Sequence, residues 1–169
     1  ITRAMQVMPL VLPVFQQQYP NVILELTEKG SAHLEELLRM GNIDLALAAL
    51  ESTSPSLAYA LIEQAPIGLL AGRDTAAARQ YPSGTALPLE AVCRENFVCL
   101  TKGHSSRITQ DKLFRRCGIT PNVLLETGAL EVGRRVALEA GACMLLPSIY
   151  IDDYCRQRRG SFFPLKDYE

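Results

Sequence analysis

The chain has 169 residues, 48% of them hydrophobic, which is enough apolar material for one two-layered core or two small lobes. Seventeen basic residues against eighteen acidic ones leave a formal charge of −1, so this segment by itself has no electrostatic footprint for gripping a phosphate backbone. No stretch approaches the roughly 18 uninterrupted apolar residues of a membrane span, and no basic-then-apolar export signal stands at the start. The chain therefore reads as soluble and cytoplasmic.

Met5, Met8, Leu12 and Phe15 recur at spacings of three and four and predict an amphipathic helix over residues 3–18, bent by Pro9 and Pro13 and capped by Thr2. Tyr19-Pro20 signals a turn, and the alternation Ile23-Leu24-Glu25-Leu26 predicts a strand over 22–27. Ser31 is placed to cap a second helix carrying Leu34, Leu37 and Leu38, with Gly41 closing it in the left-handed conformation. Ile43 to Leu50 is an apolar run too short for a helix and fits a central strand ending at Ala48-Ala49. One or two strands are expected within 57–71, followed by a stretch over 72–87 that is rich in small and polar residues and ends in a loop with Pro82 and Gly84.

A regular alternation then begins. Helices are expected at 89–94, 108–117, 130–140 and 148–158, and strands at 97–100, 123–126, 143–146 and 162–165, with Gly118 and Gly141 as helix stops. Strands alternating with helices of about ten residues are the mark of an α/β fold with a mostly parallel sheet. Such sheets bind ligands in the crevice beyond the carboxyl ends of their strands.

The order of these segments resembles the effector-binding domain of LysR-type transcriptional regulators. The residues that carry the likeness are Tyr19-Pro20-Asn21-Val22, Gly41-Asn42-Ile43-Asp44-Leu45-Ala46, Leu87-Pro88-Leu89 before Phe97, the helix from Arg107 to Gly118, Pro121 to Glu126, and Ala140-Gly141 leading to Leu145-Leu146-Pro147. The resemblance implies two Rossmann-like lobes of the type 2 periplasmic-binding-protein kind, lobe I over 1–63 and lobe II over 64–169. Lobe I is then expected to be incomplete, lacking a first strand and its last elements. The resemblance also implies a homodimer or tetramer, a small polar or anionic effector, and DNA contact only through an N-terminal winged helix-turn-helix outside this segment. No cofactor and no membrane partner are implied. Three positions depart from the family pattern: Arg73-Asp74-Thr75 where a His-Pro pair is common, Gly141-Ala142-Cys143 in place of a Gly-x-Gly, and Ser105 where the peroxide-sensing branch needs a cysteine.

An anion site is built from amide groups at helix starts, completed by hydroxyls and cations. If the family arrangement holds, Thr2, Ser31, the loop Thr101-Lys102-Gly103-His104-Ser105 and Thr127-Gly128 face one crevice, at which Ala48 and Ala49 end a central strand and either leave room for an effector or simply pack. Thr2 and Ser31 serve equally well as plain helix caps, and the loop serves equally well as a solvated turn. Lys102 and His104 would offer positive charge to a carboxylate.

Catalytic chemistry finds little support. The chain has two histidines, His33 and His104, and neither a G-x-G-x-x-G nor a G-x-x-x-x-G-K loop. The alternative on the same architecture is a periplasmic solute-binding protein. The five cysteines, Cys93, Cys99, Cys117, Cys143 and Cys155, have no Cys-x-x-Cys spacing, which argues against a disulfide framework or a structural zinc. Cys99 and Cys143 are expected to be buried hydrophobes, and Cys117 and Cys155 the more exposed thiols.

Overall fold

The computed structural model describes residues 2–49, 54–151, 153–157 and 160–166. The chain divides into two compact units, Ile1–Ala60 and Leu61–Glu169.

In the first unit, α1 spans Thr2–Gln18 and continues through Pro9 and Pro13, each of which removes one backbone donor. The rings of Phe15 and Tyr19, one turn apart, stack tilted at 5.0 Å. Helix α2, Ser31–Arg39, buries Leu34 on its inner face. Its cap is Gly30 and not the expected Ser31, which is the first helical residue. Gly30 holds extended backbone, and its carbonyl receives the Leu34 amide at 3.0 Å.

The strands expected at 22–27 and 43–50 do not form over their described residues. A period of two assigns side chains to faces, whereas a strand also needs a neighbour for its amides and carbonyls. Segment 22–27 has no ladder partner among the described residues, and Ile23 stays 94% exposed. Leu50 and the end of the second expected strand lie outside the described residues.

The second unit is built on one five-stranded sheet: β1 (Ile67–Ala71), β2 (Asn96–Leu100), β3 (Asn122–Thr127), β4 (Cys143–Pro147) and β5 (Ser161–Pro164), in the spatial order β3-β2-β4-β1-β5. The sheet is mixed. Strand β2 runs parallel to β3 and β4, while β1 runs antiparallel to β4 and β5.

Alternate residues of the central strands go to opposite faces. Leu69, Phe97, Cys99, Cys143, Leu145 and Phe163 join one buried cluster with Leu113 and Phe114 of α4 (Ser105–Arg116). Leu70, Val98, Leu100, Met144 and Leu146 join another with Leu130, Ala137 and Leu138 of α5 (Leu130–Glu139). Full burial of one such side chain is worth about 1.5–3 kcal/mol, so these two layers hold the unit together. Phe97 and Phe114 meet edge to face at 5.0 Å.

Stretch 72–87, for which no helix is expected, contains a short one, α3 (Ala76–Gln80). Buried Thr75 caps it: its hydroxyl accepts the Ala78 amide at 3.1 Å and donates to the Gly72 carbonyl at 2.7 Å. The helix expected at 148–158 breaks into a single 3₁₀ turn, Ser148–Tyr150, and α6 (Asp153–Gln157). Cys155 of α6 is buried. This thiol is 1% exposed beside Tyr150 and Arg134, against the expectation of an exposed one.

Gly118 ends α4 as expected. With φ of +63°, it lets its own amide reach the Arg115 carbonyl at 3.1 Å and the Ile119 amide reach Phe114 at 2.8 Å. This is the paired closure that a residue with a Cβ resists. Among the described residues no helix is long and apolar enough to cross a membrane.

Candidate functional site

At the carboxyl ends of β2 and β3 the sheet gathers Thr101, Lys102, His104, Ser105, Thr127 and Gly128. Leu100 is the register partner of Thr127, and one residue further the Thr101 amide donates to the Thr127 carbonyl at 3.0 Å. The two strand ends are thereby locked side by side. Thr101 turns back at once: the His104 amide donates to its carbonyl at 3.2 Å, with Gly103 at φ +90° in the third position of the turn. A Cβ on Gly103 would meet nothing within 4 Å, so glycine is required there by the backbone and not by space.

His104 is the cap of α4. Its backbone is extended, and its imidazole Nδ1 accepts the Ser106 amide at 3.2 Å. The Arg107 amide reaches the His104 carbonyl at 2.9 Å. Among the described residues the amides of Lys102, Gly103 and Ser105 have no backbone acceptor. The three amides thus stand at or just before the positive end of a twelve-residue helix, where the dipole favours negative charge.

Across from the loop, Thr127 Oγ1 accepts the Ala129 amide at 3.2 Å, and its methyl group faces Gly133. A Cβ on Gly128 would stand 3.5 Å from Thr101 Oγ1, ordinary contact, so these two residues are immediate neighbours. Thr101, Lys102, Gly103 and Gly128 are exposed, while His104, Ser105 and Thr127 are half-buried.

Two further residues belong to this end of the sheet. Arg107 is 12% exposed; its Nε donates to Asp111 Oδ1 at 2.7 Å and its Nη1 to Glu126 Oε1 at 2.7 Å and to the Leu100 carbonyl. Asp111 first, and Glu126 behind it, hold this guanidinium even more firmly charged than usual against the cost of burial. Gln110, 1% exposed, accepts the Leu100 amide at 3.0 Å and donates to the Leu145 carbonyl at 2.9 Å. Sequence reasoning passed over both, since a polar residue on a helix carries no burial signal. Arg107 four residues before Asp111 was the only available hint.

The remaining expected site residues lie in the first unit. Thr2 opens α1, and its side chain lies outside the described residues. Ser31 opens α2, and Ala49 is half-buried at the end of the described segment. The thiols contribute no reactive centre here: burial pushes Cys99 up to about 11 and drives Cys143 higher still. Among the described residues there is no cluster of histidine, cysteine and carboxylate groups fit to hold a metal ion.

A cavity of about 130 Å³ lies at the opposite end of α4, among Leu89, Glu90, Arg116, Cys117 and Lys166. It faces the negative end of the helix. Burial and a hydrogen bond to Glu90 push the Cys117 thiol up.

A family model described as the LysR substrate binding domain matches residues 2–169. The chain is 30% identical over 149 residues to a probable nitrogen assimilation transcriptional activator of Synechococcus elongatus (strain ATCC 33912 / PCC 7942 / FACHB-805), covering 86% of this chain and 47% of that protein. It spans less than half the length of the curated relatives it matches, from 39% to 48%.

Among solved structures, the CcmR regulatory domain of Synechocystis PCC6803 in complex with 2-PG superposes with a TM-score of 0.80 at 19% identity, covering 98% of this chain and 77% of that one. The BenM effector binding domain with its effector benzoate gives 0.74 at 18%, covering 95% and 72%. At these identities the likeness shows the fold, the α/β architecture of type 2 periplasmic-binding-protein-like effector domains.

Proposed function

Because the chain belongs to the family of LysR substrate-binding domains, we propose that it senses a small polar or anionic metabolite for a LysR-type transcriptional regulator. The observation that carries this reading is the convergence of the Thr101–Ser105 loop and Thr127-Gly128 at the carboxyl ends of β2 and β3, with three loop amides unclaimed by backbone acceptors. An effector carboxylate or phosphate seats on the amides of Lys102, Gly103 and Ser105, with Lys102 and His104 adding charge and a donor, and the Thr101 and Thr127 side of the turn closing around it. Benzoate, the effector of BenM, is a ligand of this kind.

The reading treats residues 1–63 and 64–169 as two lobes of one effector-binding domain. The ligand then acts by population shift, favouring one arrangement of a homodimer or tetramer whose DNA contacts come from an N-terminal winged helix-turn-helix. Moving the equilibrium from mostly one state to mostly the other takes a differential affinity of about 10⁴. The domain works by binding and not by turnover, in the cytoplasm with the DNA it regulates. The relatives it matches are transcriptional regulators, which does not favour a transporter's solute-binding protein.

Thermal-shift screening of small carboxylates and phosphates tests the proposal. A ligand at 100 times its dissociation constant adds about 2.7 kcal/mol of stability. Lys102→Ala, which removes the charge beside the loop amides, and Thr101→Val are expected to reduce that gain by at least half while changing the ligand-free stability by only about 0.5 kcal/mol. A ligand shift retained in both variants contradicts the site.

A further inference from the structure

Leu100 is the last residue of β2 and the hinge into the Thr101–Ser105 loop, and both of its peptide groups are claimed by side chains of α4. Its amide donates to Gln110 Oε1 at 3.0 Å, and its carbonyl accepts from Arg107 Nη1. Positions 107 and 110 are three apart on the helix and lie on one face.

Each of the two side chains then reaches a different strand. Gln110 Nε2 donates to the Leu145 carbonyl of β4 at 2.9 Å, and Arg107 Nη1 donates to Glu126 Oε1 of β3 at 2.7 Å. The register between β2 and β4 has a single partner pair, Phe97 opposite Cys143, so beyond that point the Gln110 amide supplies the link between the two strands. Asp111 Oδ1, at 2.7 Å from Arg107 Nε, fixes the guanidinium from the helix side.

We infer that Arg107 and Gln110 are positioning residues: by holding both the amide and the carbonyl of Leu100 they set the pose of the Thr101–Ser105 loop and tie it to β3, β4 and α4. This inference rests on the loop being the effector site only for its functional consequence; the clamp is a property of the ligand-free chain. A displacement of the loop by a bound anion is passed to α4 and β4 through the same two side chains. The chemistry demands these residue types. A planar guanidinium spreads its donors over a rigid fork, Nε to Asp111 and Nη1 to the Leu100 carbonyl and Glu126, whereas an ammonium must gather all its acceptors about one nitrogen, and a primary amide both accepts and donates across adjacent strands.

The experiment uses Arg107→Lys in the full chain, which keeps the charge and removes the fork, with Gln110→Glu as a second variant that keeps the acceptor for Leu100 and removes the donor to Leu145. Amide hydrogen exchange is followed residue by residue. The inference predicts at least tenfold faster exchange at Thr101 and His104 in Arg107→Lys, with Leu69 and Leu145 changed less than twofold. Unchanged exchange at Thr101 and His104, or equal acceleration across the sheet, overturns it. Should Gln110→Glu fail to fold, Arg107→Lys decides alone.

Titration with benzoate and with 2-PG separates the clamp from the site. A ligand that shifts the loop amides of the parent chain and binds Arg107→Lys at least tenfold more weakly supports both readings. Equal affinity for the two chains overturns the clamp's role in binding and leaves the site. A ligand that binds without shifting the loop contradicts the site, and the exchange data still decide the clamp.

Discussion

The imidazole of His104 accepts the Ser106 amide through Nδ1 at 3.2 Å, so the side chain that faces the candidate site is also the cap of α4. An acceptor nitrogen carries no proton, which places the ring's hydrogen on Nε2 and makes that edge a donor. Nitrogen-15 chemical shifts of the ring are expected to report the Nε2–H tautomer in the ligand-free domain. His104→Ala should cost about 1 kcal/mol through the lost cap, and His104→Asn, whose side-chain carbonyl can take the same amide, should recover most of it in chemical denaturation.

Gly118 gives a backbone prediction free of packing effects. A Cβ there would meet nothing within 4 Å, and φ is +63°. Gly118→Ala is therefore expected to lose about 1–2 kcal/mol from conformation alone, and Gly118→Asn less, as read from urea midpoints.

Buried thiols set a pH dependence at the alkaline end. Cys99 is pushed up to about 11 by burial, so the folded chain holds this proton more tightly than the unfolded chain does. Its contribution is full below about pH 9 and is lost as pH rises from there through 11, at most about 3 kcal/mol from this group. Cys143 acts in the same direction. Denaturation measured at pH 8, 10 and 11 should show this decline, and Cys99→Ala should flatten part of it. At neutral pH a thiol reagent is expected to modify exposed Cys93 and to spare Cys99, Cys143 and Cys155 in the folded protein.

Much of the second unit could be read from residue patterns. The alternation in Phe97–Leu100 and Cys143–Leu146 predicts two buried faces because the pleat has a period of two, and those residues do divide between the α4 and α5 layers. Gly41, Gly118 and Gly141 mark the helix ends because left-handed backbone leaves glycine as the ready choice. The failures have physical causes as well. Segment 22–27 alternates like a strand, yet alternation says nothing about a partner. Ala76 to Ala78 supply helix propensity without an apolar stripe, so no periodicity marks α3. Gln110 and Arg134 are buried polar residues, and the Leu145 and Tyr150 carbonyls to which they donate lie far away in sequence, which no local spacing reveals. For the site, the loop residues and Thr127 were legible as strand ends followed by helix starts. The side chains that hold the loop in place were not.

The most direct test of the central claim is a protein-observed NMR titration of the full chain with small carboxylates and phosphates, benzoate and 2-PG included. The account predicts that a binder shifts the amides of Thr101, Lys102, Gly103, His104, Thr127 and Gly128 first and most. A binder that leaves these still and moves Glu90, Cys117 and Lys166 around the cavity at the other end of α4 would contradict it.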